Sequence, residues 1–125
     1  MTLFRAIPIS AHGALEVLAA PLLIAAPFAL GFSVPAGIVS IALGVLLVGL
    51  ATSIYGGEGE GGTLPLTAHA SFDFVLAAAT IATGLLVGFA AGDYTAGLFL
   101  LAFGSAHLGL TASTRYSRPA PRFSG

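Results

Sequence analysis

The sequence predicts an all-α integral membrane protein, a four-helix bundle made of two tandem transmembrane helical hairpins with pseudo-two-fold symmetry. Three observations support this prediction: an apolar composition, four long apolar stretches and an internal repeat. Of the 125 residues, 57% are hydrophobic and only 7% are charged, and the mean hydropathy is +1.01. The core of a soluble domain of this length cannot absorb so many apolar side chains, whereas a lipid bilayer can.

Four apolar stretches are each about as long as the ~20 residues that a helix needs to cross the hydrocarbon core. They cover residues 9–32, 35–55, 66–91 and 94–114. A helix satisfies its own backbone hydrogen bonds within the segment, as a chain exposed to lipid must. A membrane-spanning barrel is disfavoured, because it would need alternating polarity and more strands than this length supplies.

The chain repeats itself at a constant offset. The residues from Pro8 to Glu16 return from Pro65 to Asp73, with the shared pattern Pro-x-Ser/Thr-x-His-x-x-x-Glu/Asp. We therefore interpret residues 1–125 as a single membrane domain of two duplicated hairpins. The predicted parts are repeat 1 at 8–55, a glycine- and glutamate-rich linker at 56–64, repeat 2 at 65–114 and a basic C-terminal tail at 115–125.

The positive charges indicate an orientation. All four cationic side chains lie near the two ends of the chain, at Arg5, Arg115, Arg118 and Arg122. An even number of crossings puts both ends on one side, and the loops on the cytoplasmic side of a membrane carry the excess of Lys and Arg. We expect a multi-pass protein of the bacterial inner (plasma) membrane with both termini in the cytoplasm.

Each repeat carries a histidine and a carboxylate four residues apart, which places each pair on one helix face. The pairs are His12 with Glu16 and His69 with Asp73, and His107 stands alone in the last apolar stretch. At a rise of ~1.5 Å per residue, Glu16 lies ~12 Å along its helix from Pro8, and His107 lies at a similar depth from the same side. An ionised carboxylate at the bilayer centre costs on the order of 2.5–3.5 kcal/mol, so these five residues are the candidate site.

Three interpretations of this cluster remain open. In the first, the pairs clamp the hairpins together, and the protein is a non-enzymatic structural or accessory subunit of a membrane complex without a cofactor. In the second, His12, Glu16, His69, Asp73 and His107 bind a divalent metal such as zinc, iron or manganese, or two histidines ligate haem b. In the third, the cluster is the proton site of a small proton-coupled transporter.

Other chemistry is nearly absent from the sequence. There is no cysteine, no GxSxG, no phosphate loop and no HExxH. Four cations in all make nucleic acid an improbable partner. The expected partners are the lipid bilayer and another membrane protein or a second copy of this chain, packed through helix faces. Gly84 and Gly88, a GxxxG pair, predict one close helix contact.

The repeated motif, with Gly-Phe at the far end of each first helix, resembles small actinobacterial membrane proteins of the SPW-repeat type. Those proteins also have two tandem helical hairpins, so the resemblance implies the architecture and carries no biochemical activity with it. In this chain Ala26-Pro27-Phe28 stands where that family has Ser-Pro-Trp, and there is no tryptophan.

Overall fold

Four helices make up most of the protein in the computed structural model, which describes residues 5–55 and 64–117. They are α1 (Ile9–Leu30), α2 (Val34–Thr52), α3 (Leu66–Leu85) and α4 (Tyr94–Ala112). The predicted linker, apart from its last residue, and the tail beyond residue 117, with Arg118 and Arg122, lie outside the described residues. The four predicted apolar stretches are therefore confirmed as helices. Three of them end two or three residues earlier than expected, and α3 ends six residues earlier.

Each helix is long and apolar enough to cross a membrane. The outer surface is strongly apolar, with Phe28 and Phe89 exposed to 78% and 80%. The histidines and acidic side chains of the helices lie inside instead, and His12 and Asp73 are completely buried. A soluble protein has the opposite arrangement, and this one suits lipid as the surrounding solvent.

The helices pack mainly as consecutive pairs, α1 against α2 and α3 against α4, with fewer contacts between the pairs. Glycine permits the short connections, because Gly31 and Gly92 have φ values of 69° and 73° in the left-handed region. Asp93 caps α4 by accepting a hydrogen bond from Ala96 N, and its other oxygen accepts from Ser33 N at 2.8 Å. This carboxylate therefore links the two connections at one end of the bundle.

The contact of α3 with α4 is made backbone to backbone. A Cβ on Gly97 would lie 2.7 Å from the Cα of Gly88 and 3.0 Å from the carbonyl oxygen of Gly84. Small residues at such positions let helices approach closely in lipid, where packing and not the hydrophobic effect holds them together.

Two features depart from regular helices. α3 continues as a π-helical segment, Leu86–Ala90, before the connection to α4. At the opposite end, two short strands pair in parallel, β1 (Ile7–Pro8) with β2 (Thr114–Arg115), in the register Ile7 with Thr114 and Pro8 with Arg115. The strands bring the start of α1 and the end of α4 together at what we call the terminal end of the bundle.

Candidate metal centre

The five predicted site residues come together inside the terminal end of the bundle. His12 and Glu16 lie on α1, His69 and Asp73 on α3, and His107 on α4. Their exposed fractions run from 0 to 6%, and His107 has the largest. Three helices thus enclose two carboxylates and three imidazoles without water access to most of their surface.

Glu16 contacts all three imidazoles through their Nε2 atoms. Its Oε1 lies 3.1 Å from Nε2 of His12 and 3.2 Å from Nε2 of His69. Its Oε2 lies 2.9 Å from Nε2 of His107. A single carboxylate on α1 therefore joins histidines from three helices.

Asp73 makes the matching set of contacts from α3. Its Oδ2 lies 2.9 Å from Nε2 of His12 and 3.2 Å from Nε2 of His69, and its Oδ1 lies 3.3 Å from Nε2 of His107. The Tyr116 hydroxyl donates a hydrogen bond to Oδ2 at 2.8 Å. Each acid thus contacts the histidine of its own helix and also that of the other motif.

Hydroxyl groups outside the cluster set the tautomers of two histidines. Thr114 Oγ1 donates its only proton to the Leu110 carbonyl at 2.6 Å, so it accepts from Nδ1–H of His12 at 2.7 Å. Ser53 Oγ donates to the Leu50 carbonyl at 2.6 Å and accepts in the same way from Nδ1–H of His69 at 3.2 Å. With the proton on Nδ1, a neutral ring would offer the lone pair of Nε2 to a cation. The hydrogen bond from Nε2 of His69 to Oε1 of Glu16 at 3.2 Å instead requires a proton on that nitrogen.

Nε2 of His12 is a buried polar atom without a hydrogen bond among the described residues. Two carboxylate oxygens lie within 3.1 Å of it, but neither meets the geometry of a hydrogen bond. An unsatisfied buried nitrogen costs about 1–3 kcal/mol and needs an explanation. A cation between the nitrogen and the oxygens would supply one.

Local sequence explains how these groups meet. The i, i+4 spacing turns His12 and Glu16, and likewise His69 and Asp73, to one helix face. The pairing of β1 with β2 holds Thr114 beside the start of α1, and Ile7 N–H donates to Ser113 O at 3.0 Å. The residues after α4 therefore cover the cluster instead of leaving it open at the terminal end.

The sequence did not predict three polar partners of the cluster, Ser53, Thr114 and Tyr116. The tail was predicted only as a basic segment, yet Tyr116 is half-buried against His12, with ring centroids 5.3 Å apart. Burial, together with the charge of Asp73, raises the pKa of Tyr116. No spacing rule could have found these partners, because their contacts depend on where the chain leaves α2 and α4.

A cavity of about 360 Å³ reaches the cluster from the side, between α1 and α4. Apolar side chains line it except for Glu16 and His107. A second groove of about 470 Å³ lies between α2 and α3, where Ser53 is its one polar side chain.

Comparisons with family models, with characterised proteins and with solved structures find no match to this chain. The resemblance to SPW-repeat proteins stays a prediction, and the geometry of the cluster carries the functional argument.

Proposed function

We propose that this protein is a membrane protein whose four-helix bundle binds one divalent transition-metal ion through His12, Glu16, His69, Asp73 and His107. The observation that supports this most is the convergence of three imidazole Nε2 atoms on two carboxylates, all buried. Imidazole and carboxylate ligands suit zinc, iron and manganese.

The distances suit a single ion. Donor atoms about 2.1 Å from a metal lie about 3.0 Å apart when they subtend a right angle at it. The nitrogen–oxygen distances in the cluster are 2.9–3.3 Å. One donor atom from each of His12, Glu16, His69 and Asp73 lies within 4.8 Å of the other three, so small shifts of the side chains would bring all four onto one ion.

Charge favours a divalent cation in particular. Two ionised carboxylates in an apolar bundle leave a net charge of −2 when the histidines are neutral, and such a charge is costly away from water. A divalent ion brings the cluster to zero. The Nδ1–H donations of His12 and His69 are the outer interactions that orient metal-binding imidazoles.

Haem fits this arrangement less well than an ion. Iron would need two Nε2 atoms on opposite faces of a flat macrocycle. The carboxylates of Glu16 and Asp73 lie within 3.3 Å of every Nε2 and occupy that space.

The ion would hold the two hairpins together. Packing within each hairpin is more extensive than packing between them, and the cluster joins α1 to α3 and α4. We therefore propose a structural or accessory role in a membrane complex, without enzymatic activity. The presence of Arg5 just before β1 and of Arg115 within β2 supports an orientation with this end in the cytoplasm.

A clamp without metal is the second candidate, because the histidine–carboxylate distances also suit direct ion pairs. The transporter hypothesis stays a prediction. It gains no support from the other half of the bundle, because the buried hydroxyls of Ser40 and Thr80 there already donate to the backbone carbonyls of Leu23 and Leu76.

Elemental analysis of the purified full chain decides between an ion and a clamp. We expect about one equivalent of a divalent transition metal per chain, lost in Asp73→Asn. Asp93→Asn is the matched control, because Asp93 lies at the opposite end and Asn also caps a helix. A folded wild-type protein that holds no metal after incubation with zinc, iron(II) or manganese would favour the clamp.

A further inference from the structure

The third histidine of the cluster lacks the outer partner that the other two have. Nδ1 of His12 donates to Thr114 and Nδ1 of His69 to Ser53, whereas Nδ1 of His107 has no hydrogen bond to the described residues. A metal-bound imidazole almost always donates its other N–H to an acceptor. No described residue therefore accepts a hydrogen bond from Nδ1–H of His107.

The cavity between α1 and α4 is where such an acceptor could enter. Its volume of about 360 Å³ is within the range of small-molecule sites, and Glu16 and His107 are the polar side chains in its lining. Leu15 and Leu22, at its edge, are 48% and 55% exposed on the outer surface. A ligand would thus arrive from the lipid and not from water.

Depth and charge restrict the ligand. His107 lies five residues before α4 ends at Ala112, or ~7.5 Å along the helix axis, so in a helix that spans the hydrocarbon core it is deeper than the ester carbonyls at the edge of that core. An acceptor at that depth must belong to an uncharged group that enters the core, since charges are costly there. Phe103 is an aromatic side chain in the lining, and aromatic side chains pack well against flat rings.

We propose that this cavity binds a membrane quinone, with a ring carbonyl accepting a hydrogen bond from Nδ1–H of His107 and the apolar tail leaving between α1 and α4. The inference rests on the proposed function, because the metal on Nε2 places the proton on Nδ1. The groove between α2 and α3 provides a contrast, since its one polar side chain, Ser53, already donates to Leu50 O.

Titration with decylubiquinone tests the proposal on the full chain, metal-loaded and held in phosphatidylcholine nanodiscs. Ring-¹⁵N-labelled histidine reports hydrogen bonding at Nδ1 directly. We expect saturable binding of one quinone, a shift of the His107 Nδ1 resonance, and a loss of at least about tenfold in affinity in Ala106→Phe. Ala106 is exposed and lines the cavity, so the added ring fills the cavity without entering the core.

Val75→Phe is the control, because Val75 is exposed in the other groove, and it should bind quinone as the wild type does. Failure to saturate, binding that Ala106→Phe leaves unchanged, or an occupant identified as phospholipid would overturn the proposal. Metal analysis of the same samples keeps the two ideas apart. Bound metal without quinone binding refutes the quinone site alone. Absence of metal refutes the proposed function, and the titration still shows whether the cavity binds quinone.

Discussion

The histidines of the cluster differ in the hydrogen-bond partner of Nδ1, the ring nitrogen that faces away from the carboxylates. Their presence in one site was predictable, because a repeated i, i+4 pattern turns a histidine and an acid to one helix face. The hydroxyl of Thr114 was not predictable as a partner. It reaches His12 only because a two-residue strand after α4 pairs with the residues before α1.

Thr114→Val removes the acceptor for Nδ1–H of His12 while keeping the shape of the side chain. We expect metal affinity to fall by about 10–100-fold, the usual effect of losing such an outer partner. Competition with a chromophoric chelator measures the affinity. Thr114→Ser keeps the hydroxyl and should bind as the wild type does, and equal affinity in Thr114→Val would show that this hydrogen bond does not orient the ligand.

Helix bounds were predictable from hydropathy because four apolar runs are separated by residues that end helices. The π-helical segment Leu86–Ala90 was not, because its residues are as apolar as those before it. Nor could the repeat reveal that Gly97 faces Gly84 and Gly88 across the α3–α4 contact. A GxxxG pair predicts a close approach but does not name the residue on the facing helix.

Gly97→Ala should destabilise the bundle by about 1–3 kcal/mol, because the added Cβ meets backbone atoms that cannot rotate away. Gly109→Ala on the same helix is the control, since a Cβ there has nothing within 4 Å. Gly109→Ala should leave the free energy of unfolding unchanged or raise it by up to about 1 kcal/mol. Thermal unfolding in detergent, followed by circular dichroism, compares the two, and equal melting temperatures would contradict the close contact.

Asp93 should stabilise the connections in a pH-dependent way. Hydrogen bonds from Ser33 N and Ala96 N lower the pKa of its carboxyl group below the ordinary 3.8. The stabilisation is therefore complete above pH 3.8 and is lost as the pH falls through the lowered pKa. We expect Asp93→Ala to cost about 1 kcal/mol at pH 7 and much less in strong acid, measured as the difference in unfolding free energy from the wild type. A difference that does not change with pH would contradict a charged cap.

At the scale of the whole molecule, the histidines and acids of the helices lie inside and many large apolar side chains lie outside. Composition predicted this arrangement, because 57% hydrophobic residues cannot all be buried in a chain of 125. The relation between the hairpins was harder to predict. It depends on Glu16 and Asp73 each contacting the histidine of the other motif, and a motif pattern does not state which copy it pairs with.

Removal of the proposed ion should loosen the whole bundle. A ligand present at 100 times its dissociation constant stabilises the folded state by about 2.7 kcal/mol, so a chelator should lower the melting temperature and added metal should restore it. Asp73→Asn should not respond to the chelator, because it has already lost a ligand. A wild-type melting temperature that the chelator leaves unchanged would show that the hairpins hold together without metal.

X-ray absorption at the edge of the bound metal tests the central claim most directly, because it reports the atoms around the ion. The account predicts a nitrogen and oxygen shell at about 2.1 Å with the outer scattering of imidazole rings, reduced in His107→Ala. A spectrum like that of the hydrated ion, without imidazole scattering, would place the metal elsewhere and contradict the account.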